Sequence, residues 1–385
     1  MEATSSGSIP ATEPTRDPVF MHGDLSADSS LSLTEMIERL VSTAPSLGAL
    51  RKHRLHLAAA RLWQSRGREV PADLLADARV GAVRAMLAHL VLGKARAAYD
   101  GPLMLMKGPE IAAHYPVPSD RPCHDLDLLV EDAEAAQRAL LAAGFVEFGD
   151  PAIYAGLQHL PPLVWPNAPF VIEVHRRPSQ PFWLAPVSAK ALFHDTVPSA
   201  TGVSGVLAPS PAAHAVLVVA HAWNHDPLGS VGQLLDAIAL LASADRREAT
   251  AFARAWGWEE MWRTTLAVMD VLVGGRRQNL ALRLWARHLL EVRERVVFEN
   301  HISRLAAPIW SLPAVDAPRA LAWVLRYTAS PESDEDWITQ LRRSRLALFH
   351  AFSPESKHEQ SLNWIGPRTK PRRPSSMKVR RRDSS

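Results

Sequence analysis

The chain has a single cysteine, Cys123, in 385 residues, so no internal disulfide is available to it. It also lacks an apolar run long enough to span a bilayer. The longest candidate, Ala212 to Ala222, is short and carries two histidines. The start, Met1 to Gly7, has neither the basic opening nor the apolar stretch of a secretion signal. These absences lead us to expect a cytoplasmic, reducing location and no membrane contact. No Gly-x-Gly-x-x-Gly, P-loop, kinase or Gly-x-Ser-x-Gly signature is present, so none of those sites is expected.

Excess positive charge is scarce outside the C-terminus. The formal net charge is +3, yet Ser353 to Ser385 hold nine Lys/Arg against three Asp/Glu. The remainder is therefore slightly acidic, and the basic balance belongs to the tail. This argues against a nucleic-acid-binding globular surface and confines any such contact to the tail.

Among what is present, His124-Asp125-Leu126-Asp127-Leu128-Leu129-Val130 reads as a buried strand. Alternation puts Asp125 and Asp127 on one face, with Leu126 and Leu128 on the other. Two adjacent buried carboxylates repel, and a cation between them relieves the repulsion. Hard oxygen ligands suit Mg²⁺. The plainer alternative is an aspartate pair on a solvated strand edge.

Upstream, Pro102 to Met106 reads as a short strand that ends at Lys107-Gly108, and a helix begins at Pro109. Gly108 permits a tight turn and close approach of a ligand. Lys107 adds a positive charge where a helix N-terminus already favours phosphate. Downstream, Asp132 and Gly144 bracket a helix. Phe145 to Phe148 reads as a strand. His159 to Trp165 and Phe170 to Arg176 then read as a hairpin. Val171, Glu173 and His175 share one face of its second strand. Glu173 would thus join the aspartates as a third carboxylate.

Together these residues resemble the polymerase-β-like nucleotidyltransferase superfamily, and most of all a bacterial branch of poorly characterised members. The resemblance rests on Met106-Lys107-Gly108, Arg121, Asp125-Leu126-Asp127-Leu128-Leu129, Gly144-Phe145 and Glu173-Val174-His175. His221-Ala222-Trp223-Asn224-His225 and Leu234-Leu235-Asp236-Ala237-Ile238 extend it, so that it covers roughly residues 80 to 245. The superfamily commonly has Gly-Ser where this chain has Lys107-Gly108.

The resemblance implies an α+β fold, a mixed sheet with flanking helices. It implies Mg²⁺ on the catalytic residues Asp125, Asp127 and Glu173. It implies a nucleotide held by Lys107, Gly108, Arg121, His175 and His221. The reaction would move a nucleoside monophosphate from an NTP to a hydroxyl of an unidentified acceptor: a small molecule, a peptide natural product or a protein. The missing serine motivates the alternative, a catalytically inactive nucleotide-binding or partner-binding protein that retains the fold.

Several residues carry two readings. Arg121 either neutralises phosphate or pairs with an aspartate. His175 either binds phosphate, orients Glu173 or is a satisfied core histidine. His221 and His225 share a helix face at a spacing that suits a metal. With no intervening glutamate, a packed histidine pair is the simpler reading. Cys123 and the twelve tryptophans read as packing residues.

The expected organisation is a disordered tail at 1–30, leading helices and the nucleotidyltransferase core at 31–205, a helical domain at 206–352 and a disordered basic tail at 353–385. Pro178 to Pro211 is expected to be a connector with little regular structure, its Phe182 and Trp183 lying over the sheet.

Overall fold

Serine caps open the first two of the leading helices. In the computed structural model, Ser32 and Glu35 close a capping box on α1 (Leu33–Thr43). The helix buries Met36, Ile37, Leu40 and Val41 along one stripe. Three further helices follow: α2 (Leu47–Lys52), α3 (His56–Ser65) and the long α4 (Ala72–Ala98). The described residues are 31–149, 154, 157–274, 279–329, 336–338, 341–342 and 345. Both expected tails lie outside them.

The chain then enters the sheet. Strand β1 (Leu103–Leu105) leads through α5 (Pro109–Ala112) and a 3-10 turn, Pro118–Asp120, to β2 (Asp125–Val130). Asp132 caps α6 (Ala133–Ala142), which returns the chain to β3 (Val146–Glu147), β4 (Leu163–Val164) and β5 (Val171–His175). A short helix, α7 (Ala189–Phe193), precedes the hairpin β6 (Thr196–Pro198) and β7 (Leu207–Pro209). The seven strands run β3-β4-β5-β2-β1-β7-β6. Strand β2 pairs antiparallel with β1 and parallel with β5.

The hairpin corrects the expectation of an unstructured connector. Proline at 198 and 209 reads as a breaker, but β6 is an edge strand and Pro209 ends β7, positions where a missing N–H is tolerated. Position 205, expected as the end of the core, falls in the turn of this hairpin. Phe182 and Trp183 do not lie over the sheet. Trp183 donates to Ser311 Oγ at 2.8 Å, and Phe182 stacks on Trp323 at 4.3 Å between ring centroids.

Helices follow to the end of the described chain: α8 (Pro211–His225), α9 (Val231–Leu241), α10 (Arg246–Ala255), α11 (Glu259–Val273), α12 (Leu280–Leu284), α13 (His288–Glu291), α14 (Val297–Leu305), α15 (Ala307–Ser311) and α16 (Ala317–Ala329). Helix α8 buries nearly all of its apolar residues, as expected of a central core helix rather than a membrane span. Among the described residues no helix is long and apolar enough to cross a membrane.

The sheet separates two apolar layers. Leu126, Leu128, Ile172 and Val174 pack on α4 and α6. On the opposite face Met104 and Leu129 join the larger core with α8, α9 and the leading helices. Asp125 and Asp127 alternate with the first layer, so they emerge on the α8–α9 side.

Candidate active site

Strand register brings the carboxylates together. Asp127 lies directly beside Glu173 on the parallel neighbour, and Asp125 beside Val171. Asp127 is fully buried, while the Glu173 side chain keeps 26% of its surface. Neighbouring strands are about 4.8 Å apart, so the side chains meet on the same face.

Two cationic groups share one oxygen of this cluster. Lys107 Nζ and His175 Nε2 each lie 3.0 Å from Asp127 Oδ1. His175 Nε2 is also 3.3 Å from Glu173 Oε2. Lys107 donates to His221 Nε2 at 2.9 Å, reaching across from the strand end to α8. Asp127 Oδ2, by contrast, is buried with no hydrogen-bond partner among the described residues.

The local charges follow from this geometry. Burial opposes charge on Asp127, but Lys107 and His175 outweigh it and hold the carboxyl well below the usual range. Burial and the neighbouring Asp127 charge raise Asp125. Burial disfavours charge on His175 too, but the hydrogen bonds to Asp127 and Glu173 prevail and raise it. His221 is pushed well below the ordinary histidine value, first by burial and then by Lys107. It is therefore a neutral acceptor for the lysine.

Gly108 shapes the turn. Its φ is +66°, and a Cβ there would come within 2.8 Å of the Asp125 carbonyl oxygen. Only glycine fits both the backbone angle and this approach. Arg121 Nη1 donates to Gly108 O at 3.0 Å and fixes the turn from below. The rest of that guanidinium lies in the wall of a cleft but is taken by a carboxylate. It makes a two-pronged pair with Asp236, at 2.7 and 2.9 Å, and Tyr115 donates to the same carboxylate at 2.7 Å. Of its two sequence readings, Arg121 takes the aspartate pair.

The fold thus gathers Lys107, Gly108, Asp125, Asp127, Glu173, His175 and His221. His225 packs its ring 4.4 Å from that of His221. Cys123 has its thiol pushed up to about 11, chiefly by burial, and its Sγ points at the Asp125 carbonyl. Sequence reasoning missed His159, whose ring lies 5.2 Å from His175 and whose Nε2 is 3.9 Å from Glu173. It also missed the partnership of Tyr115 with Asp236. No local spacing connects residues so far apart in the chain.

A cleft of about 360 Å³ opens over the cluster, with Asp125, Glu173, Lys107 and His221 among its walls. Atoms of Asp127, Glu173 and His175 lie within 4.8 Å of one another and could hold a metal ion. The orphaned Asp127 Oδ2 and the flanking carboxylates fit a hard divalent cation.

The profile of a family described as an uncharacterised nucleotidyltransferase matches residues 46–274, well over half of the chain. The chain belongs to this family. It is accordingly a nucleotidyltransferase, an enzyme of the class that transfers phosphorus-containing groups. The matched span contains all seven strands and every residue of the carboxylate cluster. No curated relative and no solved structure matches this nucleotidyltransferase.

Proposed function

We propose that the enzyme has a polymerase-β-like core and transfers a nucleoside monophosphate from an NTP to an acceptor hydroxyl, using Mg²⁺. The observation that carries this reading is the register of β2 and β5, which sets Asp127 beside Glu173 under an open cleft. Asp125, Asp127 through Oδ2, and Glu173 would hold the metal. When bound, Mg²⁺ would neutralise phosphate charge and lower the pKa of the attacking hydroxyl.

The chain's own residues have distinct tasks. Lys107 supplies a fixed positive charge beside the cluster, where phosphate oxygens would gather negative charge. Gly108 lets the nucleotide approach the backbone. His175 holds Asp127 and Glu173 in one orientation through a shared Nε2. Burial opposes charge on Glu173, yet the His175 hydrogen bond keeps it ionised below the usual range. An ionised Glu173 can accept the proton of the acceptor hydroxyl.

Calorimetric titration of each NTP, with and without Mg²⁺, tests the reading. Mg²⁺-dependent binding that is lost in Asp125→Asn/Asp127→Asn supports it. Nucleotide binding indifferent to Mg²⁺, with no pyrophosphate released in the presence of any acceptor, would favour a binding protein instead.

A further inference from the structure

The cleft lining also carries basic residues, Lys52 and Arg54, alongside Asp226 and Asp236, and one of them has a left-handed backbone. Arg54 and Lys52, at the corner between α2 and α3, line the cleft with His124. Arg54 has φ +60°, a left-handed conformation that costs an arginine free energy. Such strain persists only where the surroundings enforce it. Here the turn that ends α2 imposes it, with Arg54 N donating to Arg51 O at 3.0 Å and Leu55 N to Leu50 O at 2.8 Å, and α9 packs on that turn. Gly232 N donates to the His53 carbonyl at 3.0 Å, and Val231 N donates to His53 Nδ1 at 3.1 Å. A Cβ at Gly232 would come within 2.7 Å of the Arg54 Cβ. The corner is clamped, and Arg54 is held at the cleft rim.

Its charge is uncompensated. Among the described residues, the Arg54 guanidinium has no hydrogen bond or ion pair. Lys52 has only Asp226, at a long 3.6 Å, and Asp226 already takes the buried guanidinium of Arg295. Arg295 also donates to the carbonyl of Leu228, at 2.8 Å, in the adjoining loop. Leu228 too has a positive φ, of 48°. The N-terminus of α9 does not supply the positive end by itself. Val231, Gly232 and Gln233 have their N–H groups engaged by His53 and Ser230.

Carboxylates and the unpaired Arg54 guanidinium lining one cleft match a ligand with an anionic tail leading away from a metal-bound phosphate. We propose that Arg54 and Lys52 form the subsite for the β- and γ-phosphates of the nucleotide, and for pyrophosphate before it leaves. This rests on the nucleotidyltransferase reading above. The same anion chemistry could serve a charged acceptor, so the experiment separates the two sources.

Inorganic tripolyphosphate and the NTP and NMP of one base are titrated into the full chain with Mg²⁺. The variants are Arg54→Gly, Arg54→Lys and Asp127→Asn. Glycine relieves the positive φ, so Arg54→Gly should fold at least as well as wild type, checked by its melting temperature. The expected result is at least a tenfold loss of tripolyphosphate and NTP affinity in Arg54→Gly, with NMP affinity unchanged and Arg54→Lys partly restoring binding. If Arg54→Gly binds tripolyphosphate and NTP as wild type does, while Asp127→Asn loses NTP, this inference falls and the nucleotidyltransferase reading stands. If Arg54→Gly weakens NMP as much as NTP, the wall does not hold the tail and the inference is overturned. If wild type binds tripolyphosphate through Arg54 but no NTP under any metal condition, the anion subsite stands and the transferase reading falls.

Discussion

Asp236 and Asp127 are both buried carboxylates beside cationic side chains, yet only one has its oxygens fully used. Asp236 receives two bonds from Arg121 and one from Tyr115, and both oxygens are engaged. Asp127 spends Oδ1 on Lys107 and His175, while Oδ2 has no partner among the described residues. A satisfied buried pair holds structure together, whereas an orphaned buried oxygen calls for a ligand. The first aspartate steadies the Gly108 turn through Arg121. The second lies buried beneath the cleft, beside Glu173, with one oxygen unspent.

Breaking each aspartate should separate these roles. Asp127→Asn should lower transfer by about 10³-fold, the several kcal/mol that metal-assisted charge stabilisation supplies. Its urea midpoint should fall less than that of Asp236→Ala: the Lys107 and His175 charges lose their counter-ion, but asparagine keeps an acceptor for Lys107 and relieves repulsion from Asp125. Steady-state pyrophosphate release and urea unfolding measure the two effects. Asp236→Ala should do the reverse at first order, costing roughly 3–5 kcal/mol of stability by leaving the Arg121 charge buried and unpaired. A stable Asp236→Ala protein with selective loss of activity would erase the contrast.

Histidine burial adds a pH effect of similar size. Burial, first among the causes, lowers His53 and His214 to about 4 each. In the unfolded chain each returns to the usual value near 6.5, so the unfolded state binds more protons between pH 4 and 6.5. Stability is therefore full above pH 6.5 and falls as the pH drops toward 4, by about 3 kcal/mol per histidine at most. Urea unfolding at pH 7.5, 6, 5 and 4 should show the decline. The smallest effect sharpens the comparison. Tyr115→Phe removes one of the Asp236 bonds and should cost about 1 kcal/mol, with pyrophosphate release nearly unchanged.

The strands of the site were legible because their evidence is local. Alternation in Asp125 to Val130 and Val171 to His175 gives both the buried faces and the carboxylate face. What could not be read was pairing across the chain. Nothing in the neighbourhood of Lys107 points to His221, 114 residues on. Arg121 carried two readings because its partner, Asp236, lies on α9. The β6–β7 hairpin was hidden by prolines that only an edge strand or a strand end tolerates. Arg54 was invisible for a different reason. Left-handed backbone is announced in sequence by glycine, and here an arginine adopts it in the turn that ends α2.

The pairing of β2 with β5 also limits how this site can change. Leu126 and Leu128 lie beside Ile172 and Val174 on the hidden face of the same two strands. A slip by one residue would turn those side chains into the cleft and the acids into oil. The acids can therefore be rearranged only in steps of two residues along a strand or one strand across. Intermediate spacings are closed to mutation, so drift toward a new metal or substrate must come from the helices that roof the cleft.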